Sequence, residues 1–212
     1  SDWRLEVTLR DRTTREALYV GGTALKERRT GAAAGAKPAG ALPGGTVVFV
    51  QPYLERGNQH TLPRAGEVNR PLELFAAPGE YEPATFSVRS DRDLKAVVVT
   101  LIGDLRGPAG SAIPTGAVTI RTVERMKRWL TPVEFELVEC FLPRTGPRDL
   151  PANQTQRYWL TAHVPPDARP GLYEGRVRIA PASGKPHVLP LRLQVAPIRL
   201  APPEGMNYFM YF

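Results

Sequence analysis

The sequence predicts an all-β protein, a two-sheet antiparallel β-sandwich of roughly ten strands, immunoglobulin-like or jelly-roll-like. Three observations lead there. Apolar residues recur with period two in segment after segment. Proline (22) and glycine (19) are dense enough in 212 residues to work against long helices. Turn-forming clusters separate the alternating segments.

The alternation is clearest toward the end of the chain. Leu189, Leu191, Leu193 and Val195 oppose Arg192 and Gln194. Tyr173, Gly175, Val177 and Ile179 oppose Glu174, Arg176 and Arg178. Tyr158, Leu160, Ala162 and Val164 oppose Trp159, Thr161 and His163. Earlier, Ala84, Phe86 and Val88 alternate with Thr85, Ser87 and Arg89, and Trp3, Leu5, Val7 and Leu9 with Arg4, Glu6 and Thr8. A sandwich sheet needs one dry and one wet face, and successive side chains on a strand supply both. Further strands are expected at 46–51, 72–76, 94–102, 118–123 and 135–142. Val97 to Leu101 is apolar on both faces and reads as a central strand covered on both sides.

The breaks have their own chemistry. Pro165, Pro166, Pro170 and Gly171 lie between two strongly alternating strands and predict a hairpin with a loop of several residues. Residues 90–93 are a polar turn, and Gly107-Pro108-Ala109-Gly110 is a further break. A short helical turn is expected at 13–18, with Thr14 as its cap. Residues 30–45, rich in Ala, Gly and Pro, read as a flexible loop. Residues 1–200 form the expected sandwich domain.

Composition narrows the function classes. Lys+Arg (28) exceeds Asp+Glu (21), a net charge of +7. The basic residues are scattered, and the densest group is Arg121, Arg125, Lys127 and Arg128. That pattern reads as solvated strand faces, and no nucleic-acid partner is expected. No apolar run reaches the roughly 18 residues of a membrane helix. The single cysteine, Cys140, allows no internal disulfide, and its alternation with Val138 and Leu142 makes it a buried small residue.

No cofactor or metal is expected. His60, His163 and His187 have no second ligand at a standard spacing, and no HExxH, CxxC, GxSxG or GxGxxG occurs. Glu80 with Glu82, and Glu134, Glu136 and Glu139, hold spacings that could pair carboxylates for glycoside hydrolysis. Such spacing is common on any wet strand face and reads as solvated or salt-bridged glutamates. No catalytic residue is assigned. Trp129, Trp159 and Tyr53 are the candidate carbohydrate-binding platforms. The competing readings are inter-sheet or interdomain packing for Trp159 and a core or lid position for Trp129.

Residues 201–212 read as a proline-rich linker followed by a dense apolar strand. An unpaired apolar strand is an association hazard. Tyr208, Phe209, Tyr211 and Phe212 are therefore expected to make an interdomain contact, as the first strand of a following domain.

The phrase NQTQRYWLTAHVPPDARPGLYEGRVRIAP at 153–181 resembles the last hairpin of the N-terminal sandwich in large bacterial proteins of the glycoside-hydrolase type. Retaining β-N-acetylgalactosaminidases are among these. PGEYEPATFSVRSDRDLKAVVVTLIGDL at 78–105 resembles an earlier strand pair of that module, and LPLRLQVAPIRLAPPEGMNYFMYF at 189–212 its exit into a catalytic barrel. The resemblance covers residues 78–212. It implies a secreted, periplasmic or cell-surface protein, with this chain as a non-catalytic accessory sandwich. Its partner would be a C-terminal (β/α) barrel of the same protein, and the parent protein would be a glycoside hydrolase. The alternatives are a carbohydrate-binding module and a structural or adhesion sandwich with a protein partner.

Overall fold

The computed structural model describes residues 45–200, together with the backbone pairing of two earlier strands, Trp3–Arg10 and Ala17–Glu27. Among the described residues there is no α-helix, only 3-10 turns at Pro108–Gly110 and Thr115–Ala117. No helix among them is long and apolar enough to cross a membrane.

In chain order the strands are β1 (Trp3–Arg10), β2 (Ala17–Glu27), β3 (Thr46–Gln51), β4 (Leu72–Ala76) and β5 (Tyr81–Ser90). Next come β6 (Leu94–Leu101), β7 (Leu105–Arg106), β8 (Ala112–Ile113), β9 (Val118–Thr122) and β10 (Glu124–Trp129). The last five are β11 (Glu134–Phe141), β12 (Arg148–Leu150), β13 (Thr155–His163), β14 (Gly171–Ala180) and β15 (His187–Val195). The expected strands are present, and the excess over ten comes from β2, β10 and the short β7, β8 and β12.

One sheet of the sandwich runs β3-β5-β13-β9, and the other runs β12-β6-β14-β15-β4 with β7 and β8 at its side. Pairing within them is antiparallel except between β15 and β4. A third sheet, β1-β2-β11-β10, carries the β10–β11 hairpin.

The period-two sets face the space between the two main sheets. Phe86, Val88, Tyr158, Leu160 and Ala162 from one sheet meet Val97, Tyr173, Val177, Ile179, Leu191 and Leu193 from the other. Phe86 and Tyr158, opposite each other in register, stack at 5.4 Å. Such a pair adds about 0.5–1.5 kcal/mol beyond its area burial. Burial, opposed by nearby Arg148, pushes the Tyr158 phenol up to about 12.

Four expectations need correction. The proline-rich stretch before Gly171 is not a hairpin loop. It carries the chain from β13 in one sheet to β14 in the other, and the true hairpin is β14–β15. The turn chemistry of a hairpin and of an arch between layers is similar, so local residues could not separate them. Val97 to Leu101 is central in its sheet, but only one face is dry. Val97 and Val99 are buried, whereas Val98 is half-buried and Thr100 exposed. The helical turn expected at 13–18 is displaced at its end, because Ala17 and Leu18 open β2; residues 13–16 lie outside the described residues. Cys140 is exposed, because the last part of β11 runs past the sandwich, where Phe141 is exposed too.

The loop expected at 30–45 falls outside the described residues except at Gly45, whose φ is +107°. Residues 201–212, with Tyr208, Phe209, Tyr211 and Phe212, also lie outside them.

Candidate functional site

The outer face of the β3-β5-β13-β9 sheet holds the most chemistry. Its residues are those opposite the core set, so alternation alone would leave them wet. Toward one end they are instead roofed over by the loop at 52–69 and by the β10–β11 hairpin. Phe49, Thr85, Ser87, Thr155 and Arg157 are all buried there. The Thr85 hydroxyl donates to the Gln51 carbonyl at 2.7 Å, and the Thr155 hydroxyl to that of Thr61 at 2.7 Å.

Arg157 is the main clamp on this roof. Its guanidinium donates to the carbonyls of Glu55 (2.6 Å) and Pro52 (2.9 Å) and to Glu139 Oε2 (2.8 Å). Glu139 also lies 3.8 Å from the Arg125 guanidinium, which donates to the Thr155 carbonyl at 2.9 Å. One carboxylate thus sits between the buried Arg157 and the partly buried Arg125. Burial, partly offset by Glu139 and reinforced by Arg148, pulls Arg125 below the usual guanidinium range. Within the loop, Arg64 pairs with Glu55 and Glu67, and Glu67 accepts from the Gln51 amide at 3.2 Å.

These contacts account for most of the basic cluster and part of the glutamate set. Arg125 points inward, Arg128 pairs with Glu136, and Arg121 donates to the Leu142 carbonyl at 2.9 Å. Glu136 and Glu139 are salt-bridged, and Glu80 accepts from the Ala77 amide at 2.6 Å. Glu82 is half-buried, and burial followed by repulsion from Glu80 raises its carboxyl above the usual carboxylate range. No group of three potential metal ligands is assembled among the described residues.

The other end of the same face is uncovered. Tyr53 and Trp159 meet there edge to face, with ring centroids 5.7 Å apart and planes at 70°. Trp159 is half-buried and Tyr53 is 38% exposed. Trp129 is on a different sheet, at the end of β10, edge-on to Phe135 at 5.6 Å. The three aromatic residues singled out from sequence therefore form one pair and one separate site. A second pair was missed: Tyr81 stacks on His163 at 4.2 Å, with planes 10° apart. The signal was present, since Tyr81 opens β5 and His163 lies on the wet face of β13, but only the pairing register places them opposite each other. Beside Tyr53 opens a cleft of about 230 Å³, bounded by Pro52, Arg70, Glu73, Glu82 and Pro83.

No family model matches the chain, and no curated protein sequence matches it. Among solved structures it is similar to a family 123 glycoside hydrolase from Clostridium perfringens, described for glycolipid glycan hydrolysis. The TM-score is 0.63 at 13% identity, over 72% of this chain and 28% of that one. The chain thus spans little more than a quarter of that enzyme's length. A PapD-like domain of human CEP192 aligns over 61% of this chain and 84% of its own, at 14% identity and a TM-score of 0.36. The first likeness concerns the fold, a sandwich of the kind found in a glycoside-hydrolase chain.

Proposed function

We propose that this chain is a non-catalytic accessory sandwich of a secreted glycoside hydrolase and supports a catalytic barrel that follows it. The observation that carries the reading is the likeness to a part of a family 123 glycoside hydrolase, over 72% of this chain. The glutamates support it from a second direction. Glu136 and Glu139 are salt-bridged to Arg128 and Arg157, and a carboxylate held in such a pair is not positioned to attack a sugar. In the reading, catalysis belongs to the barrel, whose active site sits at the C-terminal ends of its strands. The sandwich contributes a rigid β framework beside it.

The test begins with the coding sequence downstream of residue 212. The expected result is a continuous frame of alternating strand and helix patterns. A frame that closes at Phe212 ends the proposal. Where the frame continues, the barrel is expressed with and without residues 1–200 and assayed on aryl glycosides. Loss of soluble, active enzyme without the sandwich is the expected outcome, and an unimpaired barrel would refute the supporting role.

A further inference from the structure

We propose that the uncovered half of the outer β3-β5-β13-β9 face binds a neutral glycan chain, with Tyr53–Trp159 at one end and Tyr81–His163 at the other. The proposal does not rest on the accessory role, and a reading frame closing at Phe212 would leave it intact.

The strand register lays the surface out in rows. His163 faces Tyr81, Thr161 lies between Pro83 and Thr119, and Trp159 lies between Thr85 and Arg121. From Trp159 to His163 is four residues, about 13 Å along a strand. That length suits a short oligosaccharide better than a single sugar ring. Rings stand at both ends, and the threonine hydroxyls of Thr119 and Thr161 lie between them. Stacking of a pyranose on an aromatic ring buries its C–H groups, while hydroxyls and amides meet its hydroxyl rim.

Exposure agrees with this use. Tyr81 is 68% exposed although His163 stacks on it, and Thr119 is exposed. The 70° angle at Tyr53–Trp159 gives a floor and a wall instead of a single plane. The cleft beside Tyr53 and Pro83 opens at the edge of this face, between the β3–β5 end and β4 of the other sheet.

Charge and composition choose the occupant. The chain carries +7 overall, but in these rows the only arginine is Arg121, and it is engaged with the Leu142 carbonyl. A polyanion would gain little from such a surface. The rows hold aromatic, threonine and proline side chains and no leucine, isoleucine or valine, so a greasy protein groove-binder lacks its usual counterpart.

The experiment is affinity electrophoresis of the full 212-residue chain in native gels containing hydroxyethylcellulose, galactomannan, xylan or arabinogalactan, with heparin as the acidic control. Retardation by at least one neutral polysaccharide is expected. Tyr81→Ala and Tyr53→Ala, both at exposed positions, should each weaken it about tenfold with an unchanged melting temperature. Trp129→Ala, on the separate site, should leave it unchanged. Four results would overturn the proposal. They are no retardation by any of the four neutral polymers, retardation by heparin alone, retardation indifferent to both tyrosine variants, or self-association lost in Tyr81→Ala without polysaccharide binding.

Discussion

Glu139→Gln removes the carboxylate that separates two largely buried guanidiniums. Arg157 lies 2.8 Å from it and Arg125 3.8 Å, and the two side chains are 4% and 12% exposed. Removing one partner of a buried ion pair costs about 3–5 kcal/mol, because the remaining charge is left uncompensated. Arg157 keeps the carbonyls of Pro52 and Glu55, and Glu139 is itself 16% exposed, so the lower end applies. For a domain of this size about 3 kcal/mol lowers the melting temperature by roughly 6–12 °C. Differential scanning calorimetry measures it directly. Adding Arg125→Met to the glutamine variant removes one of the two stranded cations and should recover part of the loss. Two results would refute the reasoning: a shift below about 2 °C, or an Arg125→Met effect that simply adds to the first. Because the pair is largely buried, the loss should persist at high salt.

Three further expectations follow from the same packing. Gly107→Ala would place a Cβ 2.3–2.7 Å from the buried Tyr173 ring, which is held by its hydroxyl's bond to the Arg169 carbonyl at 3.0 Å. Overpacking of that kind costs about 1–3 kcal/mol and should lower the urea midpoint, whereas an unchanged midpoint would mean the ring swings aside freely. Glu82 has a raised folded-state pKa, so its protonated form adds stability below the unfolded pKa and that contribution is lost as pH rises through the folded value. Glu82→Gln should therefore gain stability over the parent as pH rises above the ordinary carboxylate range, and a pH-independent difference would contradict the burial argument. Cys140, exposed on β11, should react with Ellman's reagent without denaturant, and protection until unfolding would return it to the core.

How far the candidate surface could be read beforehand depends on range. Trp159 and Tyr53 were identifiable as aromatics outside the apolar set, yet their contact spans from a loop to a strand far along the chain. Tyr81–His163 depends wholly on the β5–β13 register. Glu139 could be recognised as a strand glutamate, but its role between Arg125 and Arg157 comes from β11 and β13 meeting in space.

The linear pattern determined which residues become strands and which of their faces is dry, because side chains on a strand alternate with a period of two whatever the strand later pairs with. Leu189, Leu191, Leu193 and Val195 fall on one side of β15 for that reason, and all four are buried. Tertiary structure decided everything that depends on a second layer. It set β13 and β14 in different sheets, buried Thr85, Ser87 and Arg157 on the nominally wet face, and carried Cys140 clear of the core. The reason is physical: whether an outward-facing side chain meets water is set by what the chain folds over it. Here that cover is the loop at 52–69, which follows β3, and the β10–β11 hairpin, which follows β9, both folded back over residues of β5 and β13.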